Sequence, residues 1–389
     1  MSVAGFDMSK PIAHNVRHIA HVDVPGGGQV FVSDGRAFVG HMAPPAGTTI
    51  IDVKDPAKPS VVGFLSVPQN RHSHKVRVHG NIMLVNSEGY RAPDFTDGGL
   101  RIFDITEPAN PKQVGFFPVS GKGVHRFDSD GKYAYLSASM EGYDGNIVLI
   151  VDITDPKNPK EVSRWWRKGQ WTAGGEKPDW GIRTVACHHP LRFGDRLYVS
   201  YLQGGVVILD VSDLKSPKLI GQYDYHPAFE CITHTFARVP VKIGGRDVAV
   251  VVDEAPLRAR EGQMPAFVWI FDVTDETKPT PIATYTMKSE DTPYRDDGRD
   301  PQARFGSHQC HERMKDHYAY VTWFRGGLRI VDLQNPNGPT TAGYFIPTPG
   351  KGETTVQSND VFVDDQGYIY LLDRLRGLDI LQFTGRPNG

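Results

Sequence analysis

The sequence predicts an all-β protein, a seven-bladed β-propeller of four-stranded blades. Three observations predict it: one short phrase recurs seven times, each interval parses into strands, and convincing amphipathic helix is absent throughout. The phrase is a few apolar residues, an Asp, another apolar residue and a polar turn that carries Pro. It reads Ile51-Asp52-Val53, Phe103-Asp104-Ile105, Val151-Asp152-Ile153, Leu209-Asp210-Val211, Phe271-Asp272-Val273 and Val331-Asp332-Leu333. The seventh copy, Leu381-Gln382-Phe383, has Gln in place of Asp. The copies stand roughly 48 to 62 residues apart, a spacing suited to four-stranded blades with variable loops.

Each interval repeats the same elements. After the Asp comes a turn such as Thr154-Asp155-Pro156-Lys157-Asn158-Pro159, in which Asp and Pro reverse the chain. An apolar segment ending in Gly and an aromatic residue follows, as in Val114-Gly115-Phe116-Phe117. A variable loop leads to an alternating strand, Lys75-Val76-Arg77-Val78 in the second interval, turned by Gly80-Asn81 into Ile82-Met83-Leu84-Val85. A Gly pair (Gly98-Gly99, Gly204-Gly205, Gly326-Gly327) then introduces the phrase again.

The chain ends bear on the count. The seventh copy stops at Thr384-Gly385 with no outer strand after it, while Arg17-His18-Ile19-Ala20-His21-Val22-Asp23-Val24 is an orphan of the missing type. A strand over about residues 16–24 is therefore expected to complete blade seven, about residues 356–384, and close the ring. Closure removes the exposed sheet edges. Residues 1–389 then form one domain.

The phrase "LRIFDITEPANPKQVGFF" and its six relatives resemble the LVIVD-repeat family of β-propellers over nearly the whole chain, which implies the fold and little about activity. A more distant resemblance, resting on His placement near the inner strands, is to methanethiol oxidases of the selenium-binding-protein type and to carotenoid oxygenases. No functional residue is carried over from either.

A net charge of -2 with mixed signs argues against a nucleic-acid or polyanion partner, and no apolar stretch reaches membrane-spanning length. Met1 to Val16 lack the basic and apolar regions of a secretory signal. Three cysteines cannot all pair within one chain, which favours a reducing compartment, so a cytoplasmic protein is expected. The expected partner is a small-molecule substrate, with no nucleic acid and no membrane; a homo-oligomer is compatible with the sequence.

Function is read first from histidine. Aligning the strand after each variable loop on its turn places His74, His125 and His188 at one position; His234 fits with a longer turn and His311 fits if one residue is dropped at Asp316. Gly28 and Asn359 occupy that position in the other two blades. The position starts the innermost strand beside the central channel, so these imidazoles would converge, with His72, His189 and His308 close by. Neutral imidazoles within about 2.0–2.2 Å of one point hold Zn, Fe, Cu or Mn. A repeated structural hydrogen bond is the alternative for each histidine taken singly. The expected cofactor is one divalent transition metal, Fe or Cu favoured, Mn or Zn open, on His74, His188, His234 and His311, with His125 a further ligand or an acid–base group.

Cys187, Cys231 and Cys310 each lie within three residues of a register His. Strand alternation turns Cys187 and Cys310 away from that side, which ranks the thiols below the imidazoles. Glu88, Glu141, Asp253 and Glu254 follow inner strands and Glu230 and Glu312 lie near the histidines; Glu88 and Glu254 are the best candidates for a general base or a group that orients a ligand. Arg325 and Arg374, at matching places in blades six and seven, are candidate anchors for a substrate anion, with solvated charge as the alternative.

Three insertions border blades four to six: Trp165 to Ala186 with Trp165, Trp166, Trp171 and Trp180, Ala255 to Ala266 with Arg258 and Arg260, and the charged Tyr285 to Gly306. They read as lids, Trp171 stacking on substrate, or as a protein interface. No Gly-x-Ser-x-Gly elbow, P-loop or dinucleotide fingerprint occurs. Two function classes remain. One is a metal-dependent enzyme, first an oxygen-using oxidoreductase on a small anionic or aromatic molecule, next a lyase or hydrolase. The other is a non-catalytic interaction scaffold.

Overall fold

The structure, a computed structural model, describes residues 6–7, 9–255, 264–294 and 304–386. Among these, the strands form six sheets that divide into seven antiparallel groups, one per sequence interval, two of the groups being bridged into one sheet by the Leu202–Thr233 pair. Blade one runs from Gly27–Ser33 through Arg36–His41 and Ala46–Asp52 to Ser60–Ser66. Blades three, four and five repeat that order from Val124–Ser129, Val185–Phe193 and Ile232–Arg238. In blade two the first strand is split into Arg71–His72 and Val76–His79. Blade six begins at Ser307–Cys310 and blade seven at Ser358–Val363. First strands contact first strands of the next blade, Gly27–Ser33 lying against both Ser358–Val363 and Val76–His79, so they surround the channel. Among the described residues no helix is long and apolar enough to cross a membrane.

Ring closure is by the N-terminal strand. Val16–Val22 pairs antiparallel with Gly377–Phe383 and supplies the fourth strand of blade seven. The chain before it goes one blade further: Ile12–His14 adds a fifth strand to blade six, against Thr340–Ile346, which the repeat pattern does not announce.

Local chemistry explains the repeated phrase. Its Asp accepts the backbone N–H two residues on, from Lys54 to Asp52 at 3.0 Å, Thr106 to Asp104 at 2.8 Å and Thr154 to Asp152 at 2.9 Å, and so starts the turn. The Gly of the Gly-aromatic segment allows close approach to the next blade. A Cβ on Gly63, Gly115 or Gly221 would collide with the carbonyl oxygen of Pro108, Pro156 or Glu276. The apolar run before the Asp is buried on both faces. In Asn146–Asp152, Ile147, Leu149 and Val151 pack with blade two, while Val148 and Ile150 pack with blade four. Truncating Leu149 to Ala at such a site costs about 2–5 kcal/mol.

Candidate functional site

Every first strand carries an irregularity at the same level. The register shifts between Gly27 and Gln29, Val124 and Arg126, Val185 and His189, Thr233 and Thr235, Ser307 and Cys310, and Ser358 and Asp360. A bulge re-aims the side chain of its extra residue, and the residues at this level are Gly28, His125, His188, His234, His308 and Asn359. His74 holds the equivalent place at the break in blade two. The structure thus corrects the reading of blade six, where the register residue is His308 and not His311. The hairpin from Cys310 to Tyr318 is longer than those of blades one to four, so counting back from its turn lands three residues late.

The imidazoles form a continuous arc. Ring centroids are 3.7 Å apart from His72 to His74, 5.1 Å from His74 to His125, 4.9 Å from His125 to His188, 4.4 Å from His188 to His234 and 4.2 Å from His234 to His308. The arc lines a cavity of about 1000 Å³ at one end of the channel, together with Lys75, Glu88, Glu254, Arg304, Arg374 and apolar walls that include Met42, Met140, Leu202 and Ile232. Burial pushes the imidazoles of His74, His188, His234 and His308 well below the usual histidine range, which keeps them neutral.

Two trios in the arc bring metal-capable atoms within 4.8 Å of one another: His72, His74 and Glu88, and His234, His308 and Glu254. They differ in how their imidazoles are pinned. His308 Nδ1 donates to the Asn359 carbonyl at 2.5 Å, and His234 Nδ1 lies 3.0 Å from Thr235 Oγ1, whose proton goes to Gln309. Both rings therefore turn an Nε2 lone pair to the cavity, 3.7 and 3.8 Å from the Glu254 carboxylate. His188 is pinned likewise, its Nδ1 donating to the His234 carbonyl at 2.7 Å, with His125 Nε2 at 3.1 Å from its own Nε2.

The other trio is wired for protons. Asn86 accepts the Lys75 N–H at 2.8 Å and donates to the Val124 carbonyl at 2.9 Å, which leaves its second N–H 3.3 Å from His74 Nδ1. His74 thus accepts at Nδ1 and carries its proton on Nε2. Glu88 faces His125 Nδ1 at 3.0 Å and His72 Nδ1 at 3.3 Å. Burial alone would raise the Glu88 carboxyl, but His125 and His72 outweigh it and hold it at about 2.

A polar floor closes the cavity. The residues after the bulges are Gln29, Lys75, Arg126, His189, Thr235, Gln309 and Asp360, all buried. Arg126 donates to Gln309 at 3.1 Å, Gln309 donates to Glu312 at 2.8 Å, and Arg77 pairs with Glu312. Below it lies a second cavity of about 210 Å³, which His311 lines. His311 Nδ1 accepts the Val363 N–H at 3.2 Å, and its ring packs on Phe362, away from the arc.

The remaining candidates divide. Glu141 and Arg374 line the large cavity. Arg325 does not; its carbonyl accepts the Thr292 hydroxyl at 2.6 Å, while the neighbouring Phe324 ring lies under Arg304 and Arg374 and against His308. Trp171 is 41% exposed, packs edge-to-face on Trp166 and is not a lining residue. The Trp165 to Ala186 insertion reaches the cavity through Thr184 and Ala186 instead. Asp253 is buried under Tyr225 and Trp269. All three cysteines are buried, no disulfide links them to one another, and among the described residues none joins either trio. Arg258, Arg260 and the centre of the Tyr285 to Gly306 insertion lie outside the described residues. Sequence reasoning missed Lys75 and Arg304, and placed His72 and His308 beside the register only. A polar residue follows each register position, but His308-Gln309 and His311-Glu312 both satisfy that pattern, so it does not separate them.

The chain carries LVIVD repeats, matched at residues 130–165, 193–225 and 313–345. No curated protein matches it in sequence. Solved structures with a similar fold include a provisionally assigned 6-phosphogluconolactonase from Bacteroides fragilis, at 13% identity and TM-score 0.60, covering 88% of each chain. The C-terminal WD40 domain of Sif2 aligns at 10% identity and TM-score 0.57, over 96% of this chain and 99% of that one. At such identities the likeness is one of fold, the propeller. A likeness to selenium-binding or carotenoid-oxygenase proteins is not shown by these matches.

Proposed function

We propose that the chain is a metal-dependent oxidoreductase that uses dioxygen on a small molecule held in the imidazole-lined cavity. The observation that carries this is the trio His234, His308 and Glu254, in which both rings are pinned through Nδ1 and turn Nε2 toward one carboxylate. Two imidazoles and one carboxylate with open positions suit a non-haem Fe(II) ion, which supplies oxygen activation when bound. His188 sits next to this trio, and His125 with Glu88 forms a proton-handling pair beside it. Apolar walls exclude water from the reacting atoms.

A hydrolase or lyase is the second reading, favoured by the carboxylate in each trio, since a ligand set that includes Glu suits a metal acting on water or a carbonyl without redox change. The test is elemental analysis of untagged protein beside the His234→Ala, His308→Ala variant, followed by oxygen-uptake screening. Near-stoichiometric Fe, lost in the variant while the far-UV spectrum persists, is the expected result. Zn or Mn behaving that way moves the assignment to the hydrolase or lyase. Protein that stays metal-free after reconstitution overturns both and leaves a binding scaffold.

A further inference from the structure

The imidazole arc is open on one side, and the opening has its own chemistry. At the bulge position blade one has Gly28 and blade seven has Asn359. A Cβ on Gly28 would stand 2.6 Å from the His74 Cβ and 2.8 Å from its carbonyl oxygen, so no side chain fits there. Two donors converge on the Gly28 carbonyl instead: Asn359 Nδ2 at 2.6 Å and Lys75 Nζ at 3.4 Å. Arg374 Nε donates to Asn359 Oδ1 at 2.6 Å, which fixes the guanidinium beside the same gap. Lys75, Asn359 and Arg374 thus form one hydrogen-bonded run along the side of the cavity that lacks imidazoles.

The charge there is unbalanced. Among the described residues neither Lys75, which is 4% exposed, nor Arg374 has a carboxylate within ion-pairing distance, whereas Arg304 pairs with Glu254 and Arg77 with Glu312. Two cations taken out of water with no carboxylate paired directly to either are costly to the fold, and the buried Asp360 and Glu312 act on Lys75 only from beyond that distance. A ligand anion supplies the missing charge. The cavity also offers apolar walls to the remainder of the molecule.

We propose that this gap binds the carboxylate of a small organic acid, held between Lys75 and Arg374 with its body over the imidazole arc. The choice of a monoanionic carboxylate over phosphate follows from the donor set: one ammonium and one guanidinium already committed at Nε. The placement of the body rests on the arc being the reaction site; the anion pocket itself requires no metal.

The test is calorimetric titration of the metal-free and the Fe-loaded protein with acetate, benzoate and phenylacetate, each against its amide, and with inorganic phosphate. At least one acid is expected to bind at least tenfold tighter than its amide. Lys75→Met and Arg374→Gln are each expected to weaken it tenfold or more, and Lys75→Arg and Arg374→Lys to stay within a few-fold. The charge-conserving pair keeps the result interpretable if the neutral variants do not fold. Equal binding of acid and amide in all three pairs, phosphate binding tighter than every acid, or unchanged affinity in folded neutral variants would overturn the proposal. Acid binding by protein that takes up no metal would uphold it while the oxidoreductase reading fails. Metal uptake without acid preference would do the reverse.

Discussion

His125 Nε2 and His188 Nε2 stand 3.1 Å apart, and His188 turns its Nε2 lone pair to the contact, because its Nδ1 already donates to the His234 carbonyl at 2.7 Å. The contact joins the two halves of the arc. On one side Glu88 gathers His72 and His125; on the other Glu254 meets His234 and His308. The same residue types thus serve two different ends, decided by which ring atoms meet the carboxylate. Glu254 faces the Nε2 lone pairs of His234 and His308, an arrangement that a metal ion would complete, whereas Glu88 faces the Nδ1 protons of His72 and His125 and is satisfied without one.

That division predicts opposite metal responses for two carboxylates. Glu254→Gln is expected to lower Fe(II) affinity by about 10–100-fold, the usual cost of disturbing a metal's ligands or their partners. Glu88→Gln is expected to change it by no more than a few-fold. Competition against a chromophoric chelator under anaerobic conditions reads both. Equal losses would place the metal between the trios.

The ring of blades was legible in the sequence because it rests on local chemistry. Asp152 starting its turn, Gly115 meeting Pro156 and the alternating faces of Ile147 to Val151 each leave a mark at fixed spacing. The site was legible only in part. His125, His188 and His234 were found by register, but a bulge shifts register without altering composition, and the longer blade-six hairpin hid His308 behind His311. Lys75 reads as an ordinary strand residue. What makes it a cavity group is the missing side chain of Gly28 one blade away, a relation between positions far apart in sequence.

Closure of the ring carries a pH dependence. His18 and His21, on the N-terminal strand, hydrogen-bond the buried Asp379 at 2.9 and 3.0 Å, and Arg376 pairs with the same carboxylate at 2.8 Å. Burial disfavours charge on His21, but Asp379 outweighs it and raises the imidazole. Burial likewise opposes ionisation of Asp379, and His18, His21 and Arg376 outweigh it and depress its carboxyl. A raised histidine stabilises fully below its unfolded value of about 6.5 and less as pH rises through the folded one; a depressed aspartate stabilises above about 3.9 and less as pH falls. The wild-type advantage over Asp379→Asn is therefore expected to be greatest between about pH 4 and 6.5. Thermal melts of both proteins across pH 3 to 9 check it.

Asp253 predicts the opposite slope. Its carboxylate accepts the Tyr225 hydroxyl at 2.5 Å and the Trp269 indole N–H at 2.8 Å, yet burial dominates and pushes it up to about 7. With the folded value above the unfolded one, its proton stabilises the fold at low pH, and that contribution is lost as pH rises toward 7. The loss is on the order of 4 kcal/mol at about 1.4 kcal/mol per unit. Asn in its place can turn Oδ1 to Trp269 and Nδ2 to Tyr225, whose hydroxyl then donates to Thr233, 2.5 Å away. Asp253→Asn is therefore expected to gain stability relative to wild type between pH 5 and pH 8 in urea titrations. A constant difference would show that the carboxyl is ionised throughout.

Gly28 tests whether the gap in the arc is required by packing. Its absent Cβ is what lets the His74 backbone and side chain approach, with Met42 Sδ 3.1 Å from where a Cβ would stand. Gly28→Ala forces His74 outward and, through the Gly28 carbonyl, disturbs both Lys75 and Asn359. Overpacking of this kind costs about 1–3 kcal/mol. The variant is expected to lose that much in urea unfolding and to bind organic acids more weakly, while His234 and His308, on the far side of the cavity, keep their metal affinity. A variant as stable as wild type, with acid binding unchanged, would show that the His74 strand yields freely and that the gap does not depend on glycine.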